Sequence, residues 1–210
     1  NTAWAQLGAK GFVTFLTDEH GSELWTYDVN TGNLAWMTEN LFPGASSTVG
    51  NPQYQIEYNG AVYFTAWTIA SGRELYKTDG TVAGTSLVKD IMPGNPEGGP
   101  HTPGPKDFVV HQGLLFFSAD NGINGRQLWK TDGTTAGTVV VDPTGPTMGP
   151  YGVSYAVSPA GLFLSTNNIL DFVTLAPDTI THIDSINYRN VGIISDTPVL
   201  GTHLFFSASS

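Results

Sequence analysis

The stretch Asp-Asn-Gly-Ile-Asn-Gly at 120–125 offers the oxygen ligands and the tight turns of a cation site. Asp120 and Asn124 are the candidate ligands, because calcium prefers carboxylate and amide oxygens. The stretch lacks the further acidic residues of an EF-hand loop. An Asx turn, in which a side-chain oxygen accepts a backbone N–H, is therefore the favoured interpretation, with calcium as the alternative.

Two other aspartates, Asp79 and Asp132, each precede a glycine. They are also candidates for calcium, but a calcium site needs several oxygen atoms that converge on one point. Aspartate before glycine more often accepts hydrogen bonds from nearby backbone amides inside a turn. We expect this structural role for both side chains.

An aromatic side chain recurs along the chain at Trp25, Tyr76 and Trp129. Such a series suggests either a platform on which sugar rings stack or packing between repeated structural units. Packing is the favoured interpretation, because aromatic side chains supply much of the buried surface of a protein core.

Hydrolytic chemistry would require paired carboxylates, or a nucleophile beside a base. The other carboxylates and all the histidines are scattered without such spacing, so we expect a protein that is not an enzyme. The carboxylates are Glu57, Asp90, Glu97, Asp107, Asp171 and Asp184. The histidines are His20, His101, His111, His182 and His203.

The elements that position these residues form a repeat. The segment that starts at Arg73 returns at Arg126, 53 positions later, with ten of the first thirteen residues identical. The repeated positions are Leu75, Tyr76, Asp79, Gly80 and Gly84, with the counterparts Leu128, Trp129, Asp132, Gly133 and Gly137. Two near-copies at this separation predict a repeat architecture.

Each copy predicts a strand, an Asp-Gly loop and a second strand. Upstream, Asn59-Gly60 and Gln112-Gly113 separate apolar runs and predict hairpins. One period therefore contains four short antiparallel strands, which is typical of one blade of a β-propeller. No segment keeps a 3.6-residue apolar period, so almost no helix is expected.

The predicted fold is an all-β propeller of four-stranded antiparallel blades, one incomplete domain over residues 1–210. The predicted repeat units are approximately 1–45, 51–92, 106–143, 153–186 and a truncated 192–210. About four and a half blades would leave one blade face and its backbone edges open, which proteins avoid. We therefore expect a fragment of a longer propeller.

The segments ELYKTDGTVAGT and QLWKTDGTTAGT closely resemble the bacterial ELWxxDGT repeat. The resemblance implies a bacterial protein that is secreted or exposed at the cell surface, with a propeller-like array of repeats. It implies no activity and no catalytic set. Apart from the calcium alternative, no cofactor is expected.

Composition excludes some classes of binding partner. The formal net charge is −10 and only eight residues are Lys or Arg, so the clustered cations that nucleic acids require are missing. No apolar run approaches the roughly 20 residues of a membrane span, so membrane insertion is not expected. The chain has no cysteine, which excludes disulfides and thiolate chemistry.

Three functional hypotheses remain from the sequence. The first is a non-enzymatic extracellular or cell-surface module, structural or binding a protein partner. The second is a propeller that binds or acts on a glycan through its aromatic series. The third is an assembly subunit whose unfinished blade pairs with another chain.

Overall fold

The computed structural model describes residues 4–17, 21–37, 52–68, 70–94, 104–145, 147–148, 153–166, 169–175, 178–185, 189–193 and 206–209. Within these residues all regular elements are strands, and the paired strands are antiparallel. The described part of the chain contains no helix long and apolar enough to span a membrane. The predicted all-β class is confirmed.

In the described part of the chain, the strands form four sheets of four strands and one sheet of two. Blade 1 contains β1 (Trp4–Leu7), β2 (Lys10–Thr17), β3 (Gly21–Asp28) and β4 (Leu34–Trp36). Blade 2 contains β5 (Gln53–Tyr58), β6 (Ala61–Thr68), β7 (Gly72–Thr78) and β8 (Ser86–Lys89). Blade 3 contains β9 (Lys106–His111), β10 (Leu114–Asp120), β11 (Arg126–Thr131) and β12 (Val139–Val140).

Blade 4 contains β13 (Ser154–Ser158), β14 (Gly161–Thr166), β15 (Ile169–Leu175) and β16 (Asp178–Ser185). The two-stranded sheet pairs β17 (Arg189–Ile193) with β18 (Phe206–Ser209). In every sheet of four, spatial order follows sequence order. This is the arrangement of about four and a half blades that the repeat predicts.

The predicted two-residue hairpins connect the first and second strands of blades 2 and 3. Asn59 and Gly60 have φ values of 50° and 74°, and Gln112 and Gly113 have values of 47° and 76°. Two successive residues with positive φ are what a tight hairpin turn of matching twist requires.

The blades pack face to face around their first strands, because β1, β5, β9, β13 and β17 adjoin one another in turn. Each blade has two faces, which we name after the repeat. The aromatic face bears Tyr76 in blade 2 and Trp129 in blade 3, and the leucine face bears Leu75 and Leu128. The leucine face of each blade packs against the aromatic face of the next.

The three interfaces between blades 1 to 4 are the three apolar cores found among the described residues. The cluster between blades 1 and 2 centres on Phe12, Leu24, Met37, Phe64 and Tyr76. The cluster between blades 2 and 3 centres on Tyr63, Leu75, Val88, Phe117 and Trp129. The cluster between blades 3 and 4 centres on Phe116, Leu128, Val141, Leu164 and Val173.

The two ends of the blades differ in construction. We call the motif end the one that carries the hairpin turns after the first strands and the loops after the third strands. The linker end carries the loops after the second strands and the connections between blades. The loop after the third strand spans Asp79–Thr85 in blade 2 and Asp132–Thr138 in blade 3, seven residues in each, and we call it the motif loop.

The fifth unit begins earlier than predicted. β17 starts at Arg189 because its pairing with β18 extends back to Arg189 opposite Ser209, whereas the sequence placed the unit at 192–210. Residues 194–205 of this predicted unit lie outside the described residues.

Candidate functional site

The aspartate of the motif loop holds the loop itself. Asp79 Oδ1 accepts hydrogen bonds from the backbone N–H of Thr81 at 2.9 Å and from its hydroxyl at 2.7 Å. Asp132 accepts the same two bonds from Thr134 at the same distances. The threonine hydroxyl bond is the main reason that the pKa of each carboxyl lies below its ordinary value.

The glycines of the motif follow from this arrangement. Gly84 N donates to the hydroxyl of Thr81, which brings Gly84 directly under the Asp79 carboxylate, and a Cβ there would overlap the carboxylate oxygens. Gly137 is placed under Asp132 in the same way. The repeated Asp-Gly-Thr-x-x-Gly pattern is therefore one hydrogen-bonded loop built twice.

A lysine joins the motif loop to the preceding blade. Lys77 Nζ donates to the carbonyl of Gly133 at 2.9 Å, from blade 2 to blade 3. Lys10 Nζ makes the same contact from blade 1 to Gly80 O at 2.8 Å. At the next interface Lys130 forms an ion pair with Asp178, the residue that begins β16.

A cleft of about 400 Å³ lies at the motif end between the motif loops of blades 2 and 3. Its lining includes Tyr63, Lys77, Asp79 and Asp132. Burial, with a smaller effect of the nearby Tyr58 and Asp132, raises the pKa of Tyr63 to about 12. At neutral pH Tyr63 is thus protonated, and the two carboxyls with lowered pKa are ionised.

The aromatic series has mainly a packing role. Tyr76 is 5% exposed and Trp129 is 7% exposed, each in an interface with the preceding blade. The Tyr76 hydroxyl lies within hydrogen-bonding distance of Thr68 at 3.3 Å and of Ser71 at 3.1 Å. These two rings cannot stack on a sugar, whereas Trp25 is half-buried and stacks on Trp36 with ring centroids 6.3 Å apart.

The loop after β10 is an Asx turn. Asp120 Oδ1 accepts the N–H of Gly122 at 2.8 Å. Asn121, not Asn124, supplies the second acceptor, since its Oδ1 bonds to the N–H groups of Ile123 and Asn124 at 3.0 and 3.1 Å. The Ile123 side chain projects from this loop and is 83% exposed.

A buried polar network ties the linker end of blade 3 together. Arg126, 5% exposed, donates to the carbonyl of Gly104 and to both oxygens of Ser118, at 2.8 to 3.0 Å. The Ser118 hydroxyl donates to Asp107 at 2.9 Å, and Asp107 also accepts the N–H of Val153 at 3.2 Å. The network therefore fixes both connections that flank the blade.

Asp107 reaches this network because its strand is distorted. Its φ is +58°, and the pairing of β9 with β10 shifts register nearby. Tyr54 has the equivalent position in blade 2, with a φ of +55° and a register shift in β5. A bulge of this kind re-aims a side chain, so the repeat builds the same distortion into both first strands.

Glu74 has a comparable structural role in blade 2. It is 1% exposed, and its two carboxylate oxygens accept the N–H groups of Ile91 and Met92 at 2.8 and 3.0 Å. Burial raises the pKa of Glu74 to about 7, and the two backbone hydrogen bonds oppose that rise. Gln127 has the equivalent position in blade 3 and is also buried.

One titratable pair was not predicted from the sequence. His182 Nδ1 lies 2.9 Å from Asp171 Oδ1, where Asp171 is buried and His182 is half-exposed. Burial raises the pKa of Asp171, and the hydrogen bond with His182 opposes that rise. Among the described residues, no hydroxyl that could act as a nucleophile bonds to His182.

The remaining candidate residues stay apart. His111 is buried, and burial lowers its pKa. Glu97, His20, His101 and His203 lie outside the described residues, as does the side chain of Asp184. In the described ranges, no group of three or more histidine and carboxylate side chains is placed to hold a metal ion.

Sequence reasoning missed three of these features, although each left a signal. Arg126 repeats Arg73 within the motif, and Glu74 repeats as Gln127, so both positions were marked by the 53-residue period. Asp171 is visible only when the segment ILDF of blade 4 is aligned with QLWK of blade 3, which places Asp171 at the position of Trp129.

Comparison with known proteins supports the fold. No protein-family model and no curated protein matches the chain. A crystal structure of a nidogen/laminin complex matches 88% of this chain and 65% of that chain, with 10% identity and a TM-score of 0.51. This chain thus spans less than two thirds of the length of that neighbour.

Two other structures match at lower TM-scores. The AtxE2 isopeptidase matches 82% of this chain and 25% of its own, with 11% identity and a TM-score of 0.49. The tricorn protease matches 89% of this chain and 23% of its own, with 10% identity and a TM-score of 0.41. The fold defined by the blades and by the nidogen likeness is that of a β-propeller.

Proposed function

We propose that this chain is a non-enzymatic interaction module that binds a protein partner through the linker end of its blades. The observation that carries the proposal is the loop after β10. It displays Ile123, 83% exposed, on a backbone held by three side-chain hydrogen bonds. An exposed apolar side chain on a fixed loop loses little conformational entropy on binding.

The difference between constant and variable loops also favours the linker end as the binding surface. The motif loops of blades 2 and 3 are near-copies, whereas the loops after the second strands differ in length and sequence between blades. Binding residues are commonly placed on variable loops that a rigid scaffold positions.

The titratable groups support a non-enzymatic role. General acid–base catalysis works best with a group whose pKa lies near the working pH. In the motif-end cleft the pKa of each aspartate is lowered and that of Tyr63 is raised to about 12. Glu74, with a pKa of about 7, is buried and occupied by backbone N–H groups.

The proposed location is outside the cell or at the surface of a bacterium. The resemblance of the motif to the ELWxxDGT repeat supports this location. So does a composition with only 12% charged residues. The first test is fractionation of the source cells with an antibody against the chain.

A glycan is the less favoured partner. Stacking on sugars requires accessible aromatic rings, and Tyr76 and Trp129 are buried between blades. A protein surface, in contrast, can accept a single projecting aliphatic side chain in an apolar pocket.

Site-specific crosslinking tests the proposal. A photo-crosslinking amino acid at position 123 in the source cells should yield one discrete covalent adduct with another protein. Val82, 44% exposed in the motif loop of blade 2, is the matched control position at the other end and should yield none. An Ile123→Ser variant should compete poorly with the parent for the same partner.

Two results would contradict the proposal. One is an identical pattern of adducts from positions 123 and 82. The other is turnover of a substrate by the purified chain that is lost in Asp171→Asn, which would make the Asp171–His182 pair catalytic.

A further inference from the structure

The motif-end cleft between blades 2 and 3 is open because its first residue is small. The second strands of blades 1, 2 and 3 begin with Lys10, Ala61 and Leu114. Lys10 extends over Gly80 of the next blade, and Leu114 packs against the apolar core between blades 3 and 4. Ala61 has only a methyl group at this position, and it lines the cleft of about 400 Å³. The interface between blades 2 and 3 therefore has space where its neighbours have a long side chain.

The same strand departs from the other blades a second time, two residues later. Tyr63 occupies the position that Phe12, Phe116 and Phe163 have in blades 1, 3 and 4. It is 3% exposed and lines the cleft, and its hydroxyl reaches Gly133 of blade 3, where a Cβ would overlap it. One hydroxyl is thus added at the position where the other blades have phenylalanine.

This hydroxyl makes no hydrogen bond to any of the described residues. Its neighbour Tyr58 differs, since the two rings lie 5.4 Å apart but the Tyr58 hydroxyl donates to the carbonyl of Gly113 at 2.7 Å. A buried hydroxyl without a partner costs free energy, and phenylalanine would fill the same space without that cost. The hydroxyl of Tyr63 is therefore better explained by a ligand in the cleft than by packing.

The charged side chains of the cleft come from both blades. Asp79 and Asp132 each use Oδ1 for their own motif loop, while Oδ2 of each accepts no hydrogen bond from the described residues. Lys77, which donates to the carbonyl of Gly133, is the third charged residue of the lining. Two carboxylates and one ammonium group give a net charge of −1, which suits a ligand with a single positive charge.

The carboxylates and the phenol require different groups on the ligand. An ammonium group donates charge-assisted hydrogen bonds to carboxylate oxygens, but it has no lone pair to accept the hydroxyl of Tyr63. A hydroxyl on the same ligand can accept that bond without placing a second negative charge beside the aspartates. The volume of the cleft lies in the range of small-molecule sites.

We propose that this cleft binds a small hydroxylated amine, whose ammonium group bonds to Asp79 and Asp132 and whose hydroxyl bonds to Tyr63. Charge and hydrogen bonds give the recognition, so no exposed aromatic ring is required. The cleft lies at the motif end, whereas Ile123 lies at the linker end of blade 3. This ligand is therefore independent of the proposed protein partner.

Glucosamine is the probe, because it carries one amine and several hydroxyls. N-acetylglucosamine is the matched neutral control, and propylamine carries the charge without a hydroxyl. Binding to the full chain is followed by the chemical shifts of the backbone amides in two-dimensional NMR. The titrations are made at about pH 6, where the primary amines are protonated and both aspartates are ionised.

The expected result is saturable binding of glucosamine, with the largest shifts at Gly133 and Thr134 in the lining of the cleft. N-acetylglucosamine and propylamine should each bind at least about tenfold more weakly, because each lacks one of the two groups. Equal affinity for glucosamine and N-acetylglucosamine would overturn the proposal. The absence of saturable binding of glucosamine in the millimolar range would overturn it as well.

Two variants give the cleft the residues of blade 3. Tyr63→Phe removes the hydroxyl and Ala61→Leu fills the space, and each should weaken the binding of glucosamine about tenfold or more. Tyr58→Phe removes a nearby hydroxyl that does not line the cleft, and it should bind glucosamine as the parent does. Unchanged affinity in Tyr63→Phe would overturn the proposal, and this variant decides if circular dichroism shows that Ala61→Leu does not fold.

A metal ion is the other cation that two carboxylates could hold. Calcium chloride is therefore titrated in the same way, and calcium that saturates the same amide shifts and displaces glucosamine would overturn the proposal. None of these results bears on the crosslinking from position 123. Failure of the amine site and failure of the proposed partner binding are therefore distinguishable.

Discussion

Blades 3 and 4 have the same strand order, and their second and third strands pair in the same register, yet blade 4 keeps almost none of the motif. Where blade 3 has Trp129 beside Val140, blade 4 has Asp171 beside His182. Both pairs face the preceding blade. A hydrogen-bonded pair made of a buried aspartate and a half-exposed histidine can thus occupy the place of an aromatic ring in the same interface.

The outer strand differs as well. β12 is two residues long and follows a seven-residue motif loop, whereas β16 is eight residues long. The lysine of the preceding blade meets a backbone carbonyl in one case and the Asp178 carboxylate in the other. The four-stranded blade therefore depends on its buried apolar side chains. The motif adds one particular hydrogen-bonded loop to that blade.

Blades 2, 3 and 4 form a series at the position before the motif leucine, with Glu74, Gln127 and Ile169. Burial raises the pKa of Glu74 from 4.5 to about 7. Its stabilising effect is therefore complete below pH 4.5 and is lost as the pH rises towards about 7. The difference between these two pKa values corresponds to a change in the free energy of unfolding on the order of 3 kcal/mol.

Glu74→Gln is the substitution with the largest expected effect. It should remove this pH dependence, so that the variant is more stable than the parent at about pH 8. Urea unfolding at about pH 4 and about pH 8 measures the change. Gln127→Glu is the matched variant and should introduce the same dependence into blade 3, and an unchanged pH profile in Glu74→Gln would contradict the assignment.

Gly137→Ala tests the motif loop that blade 4 lacks. The new Cβ would overlap the Asp132 carboxylate, so we expect a loss of about 2 kcal/mol from backbone rearrangement. Asp132→Ala in the same chain should recover part of that loss. Ala136→Gly, at an exposed position of the loop, is the control and should change the free energy of unfolding by less than about 0.5 kcal/mol.

Asp171 and His182 can both be replaced by apolar residues, the type of residue that blade 3 has at these positions. Asp171→Ala alone should destabilise by about 1–2 kcal/mol, because it removes a buried hydrogen bond. Asp171→Leu with His182→Val should be about as stable as the parent, since replacing both partners of a hydrogen bond by apolar groups can be nearly neutral. Chemical denaturation at neutral pH measures both, and a double variant less stable than Asp171→Ala would show that the pair is required for packing.

Lys77→Met should have the smallest effect. It removes one hydrogen bond to the carbonyl of Gly133 while it keeps the aliphatic stem, and we expect a loss of about 0.5–1 kcal/mol. Lys130→Met, which removes an ion pair instead, should fall in the same range. Thermal unfolding of both proteins measures the difference, and a loss above about 2 kcal/mol would mean that the lysine holds the blades together.

Much of the fold was predictable from local pattern. Asn59-Gly60 and Gln112-Gly113 form the predicted hairpins, because residues that tolerate positive φ mark such turns wherever they occur. The 53-residue period predicted four strands per blade, and alternating apolar runs predicted their approximate positions. The structure confirms this class, and the resemblance to the ELWxxDGT repeat stays a prediction.

The contacts between repeats were decided by the tertiary structure alone. Sequence could mark Lys77, Arg126 and Glu74 as repeated, but their partners lie 56, 22 and 17 residues away along the chain. A hydrogen bond between distant segments leaves no local periodicity, and neither does the pairing of Asp171 with His182. Local sequence determined strands and turns because these depend on neighbouring residues, whereas the packing of blade on blade determined which side chains are buried, paired or exposed.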